Sequence, residues 1–506
     1  MKYADQLLRY IILALGAIAE VIIVITIANY FSTQAVWIGE LLRIAGGVIC
    51  VYIINNTRHM SMDIIWILMI FFFPISGTMV YLLMGANLFH SETAKKLHLS
   101  DIEGKKYLQQ DSNIFEKLTS KLPSLKGDFH YITKSSGYPF YQNTGFDYYG
   151  LGDLGFPVML EEMEKAESFI FLEYFIIEEG FMWESMHEIL KRKAKEGLDV
   201  RVMYDDAGSI GTLKASYSRQ LESEGIKCVR FNKLNPFLGP VMNHRDHRKI
   251  LVIDGKVAFS GGINLADEYI NKKQVYGHWK DNCIRITGEA VWSYTVLFLS
   301  NWNALRKTDE DYEFFKRESL PGKPDGFIAP YGGTPLSKQF NVGQNIYTNI
   351  INSATDYVYI CTPYLIIDTE LENALILAAQ KGVKVVMLTP GIPDKKMVWW
   401  ITRSFYKNLI EAGIKIYEYT PGFVHAKVFV SDDRVATVGT FNLDFRSLYL
   451  HFENGTYLCD SKKVFDIRDD FLNTLEVSHL MEQKDVKNGL IKRCFIGIAK
   501  LFVSQM

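Results

Sequence analysis

Asn243-His-Arg-Asp-His-Arg-Lys-Ile-Leu-Val-Ile-Asp254 and His425-Ala-Lys-Val-Phe-Val-Ser-Asp432 carry one spacing twice. In each, a lysine (Lys249, Lys427) follows the histidine (His247, His425) by two residues, and an aspartate (Asp254, Asp432) by seven. Gly261 and Gly439 follow by fourteen, Asn264 and Asn442 by seventeen. A single His-x-Lys-x4-Asp match arises by chance on the order of a few per cent of the time in a chain this long. Two matches with Gly and Asn in identical register mark a duplicated unit. A doubled His/Lys/Asn set suits phosphoryl transfer: one imidazole attacks phosphorus, the other protonates the leaving oxygen, and cations hold the phosphoryl oxygens.

Working outward, each motif ends a matching run of elements. Strands are expected at Phe169–Ile177, Val200–Tyr204, Lys227–Phe231, Lys249–Ile253 and Val257–Ser260, with helices at Ser185–Glu196 and Ser218–Glu224. The order returns as strands at Tyr357–Cys361, Val383–Leu388, Ile414–Tyr419, Lys427–Val430 and Val435–Val438, with helices at Glu370–Lys381 and up to Ala412. Lys195-Glu-Gly197 and Gln380-Lys-Gly382 mark the same helix-to-strand turn in the two halves. Alternating strands and helices imply an α/β fold with parallel or mixed sheets covered by helices. Each lysine shares a strand face with its histidine, because side chains two apart point the same way.

At 506 residues the chain holds two or three domains. The net charge of −2 provides no global basic field for nucleic acid. Six scattered cysteines fit neither a disulfide framework nor a zinc site. Three apolar runs, Ile11–Tyr30, Val36–Ile54 and Ile64–Leu83, approach the twenty residues of a membrane-spanning helix. The second, with Glu40 and Arg43, is the weakest and also reads as a buried or tilted helix. The third, with Pro74 and Gly77, is the clearest, since both residues are tolerated in membrane helices. The division expected is a membrane-spanning region at 1–86, a connector into the first domain at 87–150, a first lobe at 151–305, a linker at 306–338, a second lobe at 339–485, and a basic amphipathic helix at 486–506. Core packing is the default for Trp399, Trp400 and Phe405. The apolar loop Asn235–Pro240 reads equally as a buried loop or as a lipid-facing lip over the site.

At the duplicated motif, with Gly261-Gly-Ile-Asn264 and Gly439-Thr-Phe-Asn442, the chain resembles the phospholipase D superfamily. Within it, Gly262-Ile-Asn-Leu-Ala-Asp-Glu-Tyr269, Thr362-Pro-Tyr364 and Asp444-Phe-Arg-Ser447 are similar to the bacterial cardiolipin synthases. Thr440 and His451 depart from that pattern, standing where Ser and Asn are usual. The resemblance implies two phospholipase D-like α-β-α lobes packed pseudo-symmetrically, preceded by transmembrane helices. It implies a membrane-bound phosphatidyltransferase acting on phosphatidylglycerol, with no metal or organic cofactor and no nucleic-acid partner. A phospholipase D hydrolase, another phosphatidyltransferase and a non-catalytic scaffold are the alternatives. His247 is then the nucleophile and His425 the general acid and base, although near-symmetry leaves the reverse open. Lys249, Lys427, Asn264 and Asn442 hold phosphate. Glu453, 28 residues after His425, has the spacing of an imidazole-orienting partner, and Asp281 is the candidate for His247. Asp254 and Asp432 belong to the catalytic motif, but their position at strand ends suits turn fixing.

Overall fold

The computed structural model describes residues 2–33, 36–56, 60–82, 92–234, 243–306, 308, 310–317, 325–337, 341–487 and 489–501. The first lobe carries β1 (Thr144–Tyr149), β2 (Phe169–Tyr174), β3 (Asp199–Asp205), β4 (Lys227–Phe231), β5 (Arg245–Asp246), β6 (Lys249–Ile253), β7 (Val257–Gly261), β8 (His278–Lys280) and β9 (Cys283–Gly288). The second carries β10 (Phe327–Gly333), β11 (Tyr357–Cys361), β12 (Leu365–Ile366), β13 (Lys384–Pro390), β14 (Lys415–Tyr419), β15 (Gly422–Val424), β16 (Val428–Ser431), β17 (Val435–Gly439), β18 (Leu443–Asp444), β19 (His451–Cys459) and β20 (Ser478–Leu480).

The main sheets repeat one topology. The first runs β1-β9-β7-β6-β2-β3-β4, and the second runs β10-β19-β17-β16-β11-β13-β14, extended by β20. In both, the last three strands of the shared order are parallel and the rest antiparallel. Strand β2 is buried along its whole length, as a central strand between two helical layers must be, and its one charged residue, Glu173, accepts from Asn301 at 2.9 Å.

Two boundaries differ from the sequence reading. β1 lies inside the expected connector at 87–150, and β10 inside the expected linker at 306–338; each is the edge strand that opens its sheet. Thr-Gly-Phe-Asp-Tyr-Tyr and Phe-Ile-Ala-Pro-Tyr-Gly-Gly show no clean apolar alternation. Pairing with β9 and β19 makes them strands, and Pro330 is tolerated there because the strand is an edge.

The N-terminal region is α1 (Lys2–Thr33), α2 (Val36–Asn56), α3 (Met60–Phe72) and α4 (Pro74–Val80). Among the described residues one helix, α2, is long and apolar enough to cross a membrane. This reverses the ranking of the second and third runs. Glu40 and Arg43 pair with each other within α2 at 2.5 Å, which softens their cost. The third run breaks at Phe73, because Pro74 has no N–H to continue the helix. α4 then folds against α2 and α3, with Ile53, Ile70 and Tyr81 sharing a small core. The helix α5 (Glu92–Lys105) docks on the helix Val291–Arg306 of the first lobe, where Ser100 Oγ donates to the Ser300 carbonyl at 2.7 Å.

Candidate active site

Each lobe lends a short strand to the other. β5, just before His247, lies parallel to the start of β19 with Arg245 opposite His451 and Asp246 opposite Phe452. β15, just before His425, lies parallel to β8 with Val424 opposite Lys280. Continuing either register by one residue sets His247 opposite Glu453 and His425 opposite Asp281. The His247 N–H donates to the Phe452 carbonyl at 2.8 Å, and the His425 N–H to the Lys280 carbonyl at 2.7 Å. Both histidines are only 6% exposed.

The imidazole partners are therefore crossed between lobes. His247 Nδ1 is 3.0 Å from both Glu453 oxygens, and His425 Nδ1 is 2.6 Å from Asp281 Oδ2. This corrects the assignment of Glu453 to His425 and of Asp281 to His247: sequence proximity favours a partner in the same lobe, whereas the strand exchange supplies it from the opposite one. With Nδ1 engaged on each ring, Nε2 is the nitrogen left for chemistry. Thr440 Oγ1 and Ser447 Oγ both donate to Glu453, the latter at 2.6 Å. The counterpart of Thr440 in the first lobe is Gly262, where an added Cβ would sit 1.9 Å from Asp281 Oδ1. The usual Ser is thus replaced by Thr without loss of the hydroxyl.

Lys249 and Lys427 curl back onto the carbonyls of His247 and His425, and Lys427 Nζ also lies 3.0 Å from His425 Nδ1. Burial pushes Lys249 down to about 7, with Glu453 opposing; burial pushes Lys427 down to about 8, with Asp281 opposing. Burial, then the charges of Lys249 and His451, hold His247 well below its ordinary range. Burial and Lys427 push His425 down to about 4 against the pull of Asp281. Burial alone would raise Asp281, but His425, Lys427 and the Asn282 N–H hold it below its usual range, whereas burial lifts Glu453 well above its own. Burial and the neighbouring lysines thus disfavour the charged form of both imidazoles, and a phosphate anion beside His425 would favour its protonation.

The motif glycines have a local cause. Gly261 has φ +138, and a Cβ there would stand 2.4 Å from the Asn282 carbonyl; at Gly439 it would stand 2.5 Å from the Asn454 carbonyl. Asn264 donates to Tyr269 Oη at 2.8 Å and accepts from the Ile176 N–H at 3.2 Å, so it braces Tyr269, whose ring stands edge-on to His425. Asn442 Oδ1 is buried without a partner.

Asp254 and Asp432 are corrected from the catalytic set. Each follows the strand that begins beside its histidine, β6 or β16, at the far end. Asp254 accepts the N–H groups of Glu167, Ser168 and Phe169 at 2.7–2.8 Å; Asp432 accepts those of Thr355, Asp356 and Tyr357 at 2.8–2.9 Å. Both fix the start of the neighbouring strand.

Several contributors escaped the sequence reading. Phe175 stands edge-on to His247 with centroids 4.9 Å apart, and Lys249 Nζ lies 5.6 Å from its centroid. Asn454 receives the Lys249 N–H and donates to Ser260 Oγ. Asp281 and Glu453 were read from the sequence, and the doublets Asp281-Asn282 and Glu453-Asn454 were the available signal for the asparagines. The doublets lie 34 and 28 residues after their own histidines, so a search in strict register does not pair them. His247, His451 and Glu453 place possible ligand atoms within 4.8 Å of one another. They fit a cation poorly, because Glu453 is already hydrogen-bonded three ways and Lys249 adds positive charge. Phe405 is buried, while Trp399 and Trp400 are half-buried. The loop Asn235–Pro240 lies outside the described residues.

With this geometry in place, the comparisons with known proteins agree. The family model described as "Cardiolipin synthase, PLD-like domain" matches residues 159–291 and 347–475, one match per lobe. An uncharacterized protein of Streptococcus mutans is 43% identical over 458 residues, covering 90% of this chain and 98% of its own. A cardiolipin synthase of Halalkalibacterium halodurans is 32% identical over 468 residues, covering 90% and 93%. The crystal structure of a phosphatidylserine synthase from Haemophilus influenzae shares the fold, with TM-score 0.58 and 15% identity over 75% of this chain and 99% of that one. The duplicated motif, the duplicated sheet and these matches together place the chain in the cardiolipin synthase family, with two phospholipase D-like domains.

Proposed function

We propose that this enzyme condenses two phosphatidylglycerol molecules into cardiolipin and glycerol through a phosphatidyl group held on His247. Nε2 of His247 forms a bond to phosphorus while the bond to the headgroup glycerol breaks. The glycerol oxygen takes a proton from Nε2 of His425. A hydroxyl of the second phosphatidylglycerol then returns a proton to His425 and attacks phosphorus, and the N–P bond breaks. Lys249 and Lys427 neutralise the phosphoryl oxygens in both steps. The exchange of one phosphodiester for another needs neither a redox partner nor an energy donor.

The asymmetry between the carboxylates supports these roles. Asp281, held ionised 2.6 Å from His425, stabilises an imidazolium there. Glu453, lifted by burial, leaves His247 a neutral nucleophile. Purified enzyme given only phosphatidylglycerol should yield cardiolipin and glycerol in equal amounts by mass spectrometry, with a quench-trapped phosphate on His247. Phosphatidic acid as the main product would favour the hydrolase instead, and the phosphate on His425 would reverse the two roles.

The enzyme is proposed to be a multi-pass membrane protein with its lobes in the cytoplasm. The apolar α1 to α4 support this, as do Lys95, Lys96, Lys105 and Lys106 following the third run against Lys2, Arg9 and Arg58 before it. The docking of α5, which carries Lys95, Lys96 and Lys105, on the first lobe supports the same orientation. Lys95 is exposed, so a cysteine there is a suitable probe of topology. It should resist impermeant thiol reagents in intact cells, and ready labelling would invert the orientation.

A further inference from the structure

The His247 side of the cleft holds more cationic and donor groups than the transferred phosphate uses. The His451 ring lies 5.6 Å from that of His247 and 6.4 Å from that of Phe175. It stands two residues before Glu453 on β19, so both side chains point to one face of the strand. Both His451 ring nitrogens are buried without a hydrogen-bond partner. So is Nε of Arg446, whose Nη2 reaches Asn243 Oδ1 at 3.3 Å. Arg446 immediately precedes Ser447, which donates to Glu453, so its backbone is held next to the residue that braces that carboxylate. Buried Arg245, opposite His451 in the strand pairing, and His244, with Nδ1 unpartnered, add to the group. The nearby anions are Glu453, with Oε1 3.7 Å from His451 Nδ1, Asp205, 3.6 Å from Arg245, and Asp444. Burial, then the charge of Arg446, holds His451 below its ordinary range.

A buried guanidinium edge and imidazole with open donors await an anion. The proposed reaction supplies one. The acceptor phosphatidylglycerol carries its own phosphodiester, six covalent bonds from the phosphorus that its hydroxyl attacks. Water and glycerol carry no such charge. Resting on the function proposed above, we infer that Arg446 and His451 form the subsite for the acceptor lipid's phosphodiester, and that they select an anionic phospholipid over a neutral alcohol as acceptor.

Two reactions of the full-length enzyme in detergent separate this role from the chemistry at His247. Exchange of labelled glycerol into phosphatidylglycerol uses the donor site and a neutral acceptor; cardiolipin formation needs both lipids. Arg446→Gln should lower the ratio of cardiolipin formed to glycerol exchanged by about tenfold, the loss expected for one charge-assisted contact. It should also raise the phosphatidylglycerol surface concentration needed for half-maximal cardiolipin synthesis. Arg446→Lys should recover part of the ratio, and His451→Phe should lower it. Glycerol exchange reports that each variant is folded. If both reactions fall in proportion, or neither changes, the acceptor subsite is wrong. If the wild-type enzyme performs neither reaction, the function on which the subsite rests is wrong as well.

Discussion

Glu453 faces His247 across the lobe interface, each carboxylate oxygen 3.0 Å from Nδ1 of a residue 206 positions away. Asp281 returns the contact to His425 across 144 positions. Each catalytic half is thus completed by the other, so docking of the lobes is itself a requirement for activity.

The two carboxylates should be separable by leaving group. Asp281→Asn should lower turnover of phosphatidylglycerol by roughly 10²–10⁴-fold, the scale seen when a histidine loses its orienting carboxylate. It should matter far less for a phosphatidyl donor whose leaving group needs no proton. Glu453→Gln should slow both donors alike, because it disturbs the nucleophile. Equal sensitivity of the two variants to the leaving group would break this division of labour.

The alkaline side of the pH profile should report the lysines. kcat/KM reflects the free enzyme, in which Lys249 is pushed down to about 7 and Lys427 to about 8. Each is charged below its value and loses its positive charge as pH rises through it. kcat/KM should therefore decline above about pH 7. In Lys249→Arg the guanidinium stays charged, so the decline should move upward even if the maximum falls. An unmoved alkaline limb would assign it to another group.

Asp254→Asn and Asp432→Asn should damage stability more than chemistry. Each carboxylate accepts three backbone N–H groups that open a neighbouring strand. Loss of the charge should cost about 1–3 kcal/mol and lower Tm, while turnover per folded molecule stays within a few-fold of wild type. A hundredfold loss of turnover at unchanged Tm would return them to the chemistry.

The C-terminal helix Leu490–Leu501 lies within the expected amphipathic segment and is partly buried against the second lobe. Ile496 and Ala499 are buried, Lys500 lies over Phe405 and Lys492 over Trp400, so the helix packs on the helix Lys396–Glu411. Ile491, Phe495 and Ile498 remain outward, and Phe71, Phe72 and Phe73 are exposed as well. Changing Ile491, Phe495 and Ile498 to Ser should reduce activity on anionic vesicles several-fold more than in detergent. Ile496→Asp should lower both, together with Tm. Equal losses in both assays from the triple change would leave the helix a purely structural role.

Much of this protein is written locally. Lys249 shares a face with His247 because strands repeat every two residues. Gly261 and Gly439 are fixed by a close approach of neighbouring strands, and the apolar runs at Phe169, Lys249 and Tyr357 form strands wherever a helix-covered sheet admits them. The doubled register of His, Lys, Gly and Asn was enough to specify two lobes and a two-histidine site. Three things were decided only in three dimensions. β1 and β10 are strands because β9 and β19 offer them partners, not because their side chains alternate. Asp254 and Asp432 end their strands as their positions imply, but the N–H groups they accept, those that open β2 and β11, come from the neighbouring strand. The pairing of His247 with Glu453 and of His425 with Asp281 depends on the register of β5 on β19 and of β15 on β8. That register is set by packing between segments far apart in the chain, and no periodicity within either segment encodes it.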